Sequence, residues 1–286
     1  MQNHRGSSSV LRLAGVILAA LLAVTSTTVF SKAKATQDQA HLTPLQLEIE
    51  KQRLRLSSTE TEDRRDALSR LASMHHPEAS RAALAALSDP SPIVRATAAA
   101  SILYLPSEES AARLLPLLAD KDEFVRQQVA YALGRTRSHA AVAPLIERLS
   151  DKEDSVRGSA AVALGEIGDR AAVPSLVAVL NPSSGSSPAK KKTKSKREQN
   201  PFVLRAAAHS LGQIGDTAGL PALIPILQDE KAEDDIRREA ALALGTIGDP
   251  SAIPALREVL TARDPYLAQT AHEAIKRISR LQSPGN

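Results

Sequence analysis

Residues 151–180 read DKEDSVRGSAAVALGEIGDRAAVPSLVAVL, and most of the chain is a variation on that stretch. Aligned on its Val156-Arg157 pair, the pattern stands 31 residues earlier as DKDEFVRQQVAYALG and 62 earlier as DPSPIVRATAAASIL. It returns later as PFVLRAAAHSLGQIGDTAGLPALIPIL and DDIRREAALALGTIGDPSAIPALREVL. Self-similarity at a period of about 20–50 residues marks a stack of small units rather than one rounded core. Within the quoted unit, Val156, Ala160, Ala163, Leu164 and Ile167 fall at helical spacing and give a first helix one apolar face. Gly165 and Gly168 are read together as the close of that helix, where a left-handed residue ends the last turn without a Cβ clash. Asp169 follows as an N-cap, and in a later copy the same place reads Asp249-Pro250, a cap followed by proline at the first helical position. The second helix then carries Val173, Leu176, Val177 and Leu180 on one face. Neither helix pair can bury its apolar surface alone, so neighbouring pairs must stack. Alanines at 160, 161 and 163, and again at 240, 241 and 243, permit close helix approach.

Two features of this pattern resemble the HEAT-repeat superfamily, in the short form called the phycobilisome-lyase-type HEAT-like repeat. One is the G-x-I-G-D-x-x-A-[VIL]-P turn at Gly165–Pro174, Gly212–Pro221 and Gly245–Pro254. The other is an Asp six residues before an Arg, at Asp89/Arg95, Asp120/Arg126 and Asp151/Arg157. The resemblance implies an all-α, right-handed HEAT-like α-solenoid of about seven two-helix repeats over 60–282. It also implies that the Asp and Arg tie adjacent repeats together through hydrogen bonds. A ladder of Arg64, Arg95, Arg126, Arg157 and Arg237, displaced by one place to Arg205 in the fifth repeat, is expected to bond the preceding Asp. The competing reading of those arginines is a row facing an acidic ligand. The ankyrin T-P-L-H and the tetratricopeptide Trp/Tyr patterns are absent from the sequence.

The repeats are placed at about 60–89, 90–120, 121–151, 152–182, 201–230, 231–263 and 264–282. The last lacks the glycine turn, with Lys276 where Gly245 stands one repeat earlier. Ahead of them, residues 36–59 read as a linker and an N-terminal capping helix. Thr43-Pro44-Leu45-Gln46 fits a capping box, and Leu45, Ile49 and Leu56 are expected to face inward. Residues 283–286 form a tail.

Composition agrees with thin stacked layers. Aromatics are 2% of the 286 residues, too few for a single compact core of that length, while Leu, Val, Ile and Ala are abundant. Cysteine is absent, which removes disulfides, thiolate metal sites and a cysteine nucleophile. The formal charge of +4 is unevenly placed. Residues 1–35 hold four basic and no acidic residues, and residues 183–200 hold six basic and one acidic. The rest is 26 basic against 31 acidic, about five charges negative.

Residues 1–35 read as a signal peptide or an N-terminal membrane anchor. Arg5 and Arg12 flank the start, Leu13 to Val24 is apolar, and Ala33-Lys34-Ala35 offers a small-x-small cleavage site before Thr36. The run Leu13–Phe30 also approaches the roughly 18–20 residues that span a bilayer. Either way the repeats face the periplasm. The insert at 183–200 carries Lys190, Lys191, Lys192, Lys194, Lys196 and Arg197 after a Ser/Gly-rich start and is expected to be a disordered loop. It is either a solvated linker or an arm for anionic membrane or envelope polymer. No interleaved aromatics stand there to stack bases, which weighs against nucleic acid.

Candidates for chemistry are sparse. The chain has no G-x-S-x-G, no H-E-x-x-H and no phosphate loop. His75-His76 and His139 fall in turns, and His209 and His272 on first helices of different repeats. His272-Glu273 invites comparison with deoxyhypusine hydroxylase, a HEAT-like enzyme in which several His-Glu dipeptides hold two irons; here the dipeptide occurs once. The acid pairs Asp234-Asp235, Glu108-Glu109 and Glu62-Asp63 lie at helix starts, where negative charge offsets the helix dipole. The expected function is a non-catalytic protein-interaction scaffold or adaptor of the bacterial cell envelope, with no cofactor, no metal and an unknown protein partner. An inner face formed by the second helices is expected to carry specificity. The alternatives are an enzyme or accessory factor of the bilin lyase or deoxyhypusine hydroxylase branches, and a membrane-tethered adaptor using the basic loop.

Overall fold

The computed structural model describes residues 42–181 and 200–282. Residues 1–35, the basic insert with Lys190 to Arg197, and the tail at 283–286 lie outside the described residues. The chain divides into two compact parts, Met1–Lys51 and Gln52–Asn286. In the first, helix α1 (Pro44–Arg55, running on across the division) begins at a reciprocal capping box. Thr43 N–H donates to Gln46 Oε1 at 3.0 Å, and Gln46 N–H donates to Thr43 Oγ1 at 3.3 Å. Ile49 is buried.

The second part is a succession of helix pairs, and no strand occurs among the described residues. The pairs are α2 (Thr61–Ser73) with α3 (Pro77–Ala83), α4 (Pro92–Ser101) with α5 (Ser107–Leu114), and α6 (Glu123–Thr136) with α7 (Val142–Arg148). They continue as α8 (Asp154–Ile167) with α9 (Val173–Leu180), α10 (Pro201–Ile214) with α11 (Leu220–Gln228), and α12 (Asp234–Ile247) with α13 (Ile253–Glu258). A single helix, α14 (Pro265–Gln282), follows. Each first helix packs on the first helices of the repeats before and after it, and each second helix packs on the first helix of the next repeat.

The apolar faces do what their spacing requires. Val156, Ala160, Ala163, Leu164 and Ile167 are all buried, as are Val173, Leu176 and Leu180 on the second helix. Asp169 caps as expected, but its carboxylate accepts the Ala171 N–H at 2.9 Å and opens a short 3-10 turn, Arg170–Ala172, before α9 begins. Asp216 and Asp249 repeat the device.

The two glycines of the turn divide their labour, contrary to the joint reading above. Gly168 is the cap, at φ +76°, as are Gly215 and Gly248. Gly165 instead lies inside α8, where a methyl would stand 2.6 Å from Ser210 Oγ on α10. Gly212 meets α12 in the same way, and a methyl there would lie 2.8 Å from the Cα of Ala243. At Gly134, Gly212 and Gly245 consecutive first helices therefore touch backbone to backbone. Gly212→Ala is expected to cost about 1–3 kcal/mol, because overpacking falls on main chain that cannot rotate away. Gly168→Ala meets nothing within 4 Å, so its expected loss comes only from the left-handed backbone. Chemical denaturation of the two variants separates the causes: the first should distort packing of α10 and α12, the second should leave it intact.

The 16-residue lengthening between the fourth and fifth repeats does not interrupt the packing. Phe202 lays its ring where a Cβ on Gly158 would be, Asn200 Nδ2 donates to Asp154 Oδ2 at 2.8 Å, and Ser210 Oγ donates to the Ala161 carbonyl at 2.8 Å.

Candidate functional site

The arginine ladder is real in its first half and differently wired from the expectation. Arg95 sends Nε and Nη2 to the two carboxylate oxygens of Asp120, both at 2.8 Å. Its Nη1 donates to the carbonyls of Asp89 and Pro90, at 2.8 and 3.1 Å. Arg64 binds Asp89 and Arg126 binds Asp151 through the same fork. Each guanidinium thus joins the loop entering its repeat to the loop leaving it. The carboxylate partner is the Asp 25 residues later, and the Asp six residues earlier contributes only its carbonyl. The reason is geometric: the earlier Asp turns its carboxylate back onto the backbone N–H two residues on, as Asp120 does with Asp122 at 2.9 Å.

Among the described residues the two-pronged fork is not repeated after Arg126. Arg157 keeps the Asp151 carbonyl at 2.8 Å and pairs with Asp154 on its own helix, and the position 25 residues on is Pro182. In the next repeat Leu204 holds the ladder place and Arg205, one residue further round the helix, is exposed and only 3.9 Å from Asp235. Arg237 donates to the Leu227 carbonyl at 3.1 Å, because Ala262 stands where its aspartate would be. Arg238 instead reaches Asp264 at 2.7 Å, a partner that the sequence reading missed.

Burial pushes the carboxyls of Asp89, Asp120 and Asp151 up, but the arginine fork, the backbone N–H and the arginine charge outweigh it and hold all three below the ordinary carboxylate value. Their folded forms release protons more readily than the unfolded chain does, so this stability is present above the unfolded carboxyl value and is lost as pH falls through the folded ones. Thermal melts are expected to show a steep loss as pH drops from about 4 toward 2, and a shallower one in Asp120→Asn.

Four of the described histidines have local partners. His76 Nδ1 accepts the Glu78 N–H and caps α3, and His75 lies against Tyr104 with ring centroids 4.9 Å apart. His139 pairs with Asp169 at 2.7 Å and His209 with Glu239 at 2.8 Å. His272 and Glu273 lie on α14, where Glu273 accepts from Gln269 at 3.1 Å. Among the described residues no group of three or more His, Asp or Glu is placed to hold a metal ion.

Two surface features remain. All five described aromatics, Tyr104, Phe124, Tyr131, Phe202 and Tyr266, are large exposed side chains at 40–66% exposure. A groove of about 790 Å³ lies over the C-terminal turns of α6, α8 and α10, with Tyr131, Arg135, Arg137, Glu166 and Gln213 among its lining residues. It lies on the first helices, not on the second helices to which the sequence assigned specificity. Glu166 Oε2 is buried there without a hydrogen-bond partner among the described residues. Burial pushes its carboxyl above the ordinary value, against the pull of Arg135 and Arg137.

HEAT repeats match residues 50–134, 80–162, 111–186 and 194–278. The chain belongs to the HEAT-repeat family. What it shares with that family is a repeat scaffold. Similar solved structures include the complex of CpcE and CpcF of phycocyanin lyase from Nostoc sp. PCC7120, at 22% identity, covering 86% of this chain and 90% of that one, TM-score 0.49. Human deoxyhypusine hydroxylase in complex with glycerol is similar at 17% identity over 82% of this chain and 96% of that one, TM-score 0.36. A designed armadillo repeat protein is similar at 16% identity over 80% and 98%, TM-score 0.39. No curated protein sequence matches the chain. Among the described residues, no helix of this HEAT-repeat protein is long and apolar enough to cross a membrane.

Proposed function

We propose that this HEAT-repeat protein is a non-catalytic docking scaffold that binds protein partners in the bacterial envelope. One observation carries the reading: a chain with six aromatic residues keeps all five described ones at its surface. Leu and Ala fill the layers, so the rings are not needed inside. Tyrosine and phenylalanine are enriched where protein surfaces meet, since they supply contact area at small entropic cost. A surface already rigid from backbone contact between first helices lowers the ordering cost of association.

A photo-crosslinking residue placed at Tyr131 on α6 is expected to capture one discrete partner band in envelope fractions. The same residue at Glu147, which is exposed on α7, serves as control. Equal labelling from both sites, or none from Tyr131, would remove the reading. Export is supported by the charge, apolar run and small-x-small order of residues 1–35. A mature N-terminus at Thr36, or an uncleaved chain in the membrane fraction, is the expected mass-spectrometric result; an intact chain in the cytoplasm would contradict it. The six basic residues of the insert favour a secondary contact with anionic lipid. Replacing the six basic residues of the insert by serine, which leaves the Asn200 cap of α10 in place, should then abolish salt-sensitive liposome binding while leaving the Tyr131 crosslink.

A further inference from the structure

Three peculiarities meet in the groove over α6, α8 and α10. The first is Arg137. It ends α6 at φ +55°, in the left-handed region, at the place that Gly168, Gly215 and Gly248 hold in the next three repeats and that His75, at φ +52°, holds two repeats earlier. A side chain there is unfavourable where glycine would be free, and such strain persists where the surroundings or a function require it. The second is that Arg135 and Arg137 are both exposed, and neither guanidinium makes a hydrogen bond or ion pair with the described residues. Most other arginines on the first helices are tied to a carboxylate or a carbonyl, Arg70, Arg277 and Arg280 being the exceptions among the described residues. The third is Glu166 Oε2, a buried acceptor with no donor among the described residues. Room for it is made by Gly134, where a methyl would stand 2.5 Å from that oxygen.

A ligand that serves this set must bring an anion for two guanidiniums and an N–H for a carboxylate oxygen. A phosphate ester satisfies the arginines and offers Glu166 no donor. An amine satisfies Glu166 and leaves the arginines free. A carboxylate with an N–H on the adjacent carbon serves both, and guanidinium groups bind carboxylates through paired, charge-assisted hydrogen bonds. We propose that this groove binds the carboxyl-terminal end of a peptide chain, with the terminal carboxylate on Arg135 and Arg137 and the last peptide N–H on Glu166 Oε2. The exposed ring of Tyr131 then covers the final side chain. The proposal deepens the docking function and rests on it: it names the part of the partner that the first-helix face holds. A free acylated amino acid carries the same two groups, so the test must separate a chain end from a small molecule.

The test uses the full chain and a fluorescein-labelled peptide, Gly-Ser-Gly-Ser-Leu-Ala, as the free acid and as the C-terminal amide. The acid should bind at least about tenfold tighter than the amide, the loss expected when a charged hydrogen-bond partner is removed. Arg137→Gly should raise the melting temperature, by relieving the left-handed backbone, and weaken the peptide acid about tenfold or more. That opposite movement of stability and affinity is not produced by a structural role alone. Equal binding of acid and amide, or unchanged affinity in Arg137→Gly, overturns the assignment. Displacement by N-acetylalanine at the same concentration as unlabelled peptide overturns the chain-end reading in favour of a small carboxylate. If the peptide fails while the Tyr131 crosslink persists, the groove assignment falls and the docking function stands; if both fail, both fall.

Discussion

Arg126→Ala is expected to lower the unfolding free energy by about 3–5 kcal/mol, the loss typical of removing one partner from a buried ion pair. The side chains of Arg126 and Asp151 are 6% and 5% exposed, and the guanidinium makes four hydrogen bonds to two different loops. Truncation leaves Asp151 with a buried charge, relieved only by the Glu153 N–H and by Arg148 at 3.9 Å, and leaves the carbonyls of Asp120 and Lys121 without a donor. The double variant Arg126→Met with Asp151→Leu should recover most of that loss, since replacing both charges removes the stranded group. Urea denaturation of the three proteins decides it. A loss in Arg126→Ala no larger than about 1 kcal/mol, the range of exposed pairs, would mean that the pair is solvated.

Leu164→Ala is expected to cost about 2–5 kcal/mol. Leu164 is fully buried in α8, between first helices that already meet at Gly134 against the Ala163 backbone and at Gly165 against the Ser210 side chain. Helices in that contact cannot move closer to fill the space, which places the loss toward the upper end of the range. A loss below about 1 kcal/mol would show that Leu164 does not lie in the interior.

Most of the architecture could be read from the chain because it rests on local rules repeated several times. A 3.6-residue apolar period, a left-handed glycine and an Asp cap are each visible in one copy and confirmed by the next. What escaped depends on which of two chemically equal residues a distant segment meets. Gly165 and Gly168 look alike as helix-ending glycines; only the approach of Ser210 makes the first a contact residue. Asp89 and Asp120 both stand near Arg95 in the repeat, and only the path of the second helix brings the later one to the guanidinium. Arg238 was passed over for Arg237 because one step along a helix is invisible until Asp264 is placed. The groove is another case, since Arg135, Glu166 and Gln213 meet only through stacking. A signal for it was nonetheless present: Arg137 occupies the place of Gly168, Gly215 and Gly248, a departure from glycine that alignment of the repeats exposes and that His75 shares.

The central claim is that each helix pair rests on its immediate neighbours, so that equivalent positions move steadily apart along the chain. Glu108, His139, Arg170 and Thr217 are equivalent exposed positions in consecutive repeats, and the sequence has no native cysteine to interfere with labelling. Spin labels on cysteines introduced at 139 and 217, and separately at 108 and 217, give two distances by pulsed electron paramagnetic resonance. The 108–217 distance should exceed the 139–217 distance by about 8–10 Å, one helix-to-helix spacing. A 108–217 distance equal to or shorter than the 139–217 distance would contradict the stacked arrangement, and with it the docking surface built on it.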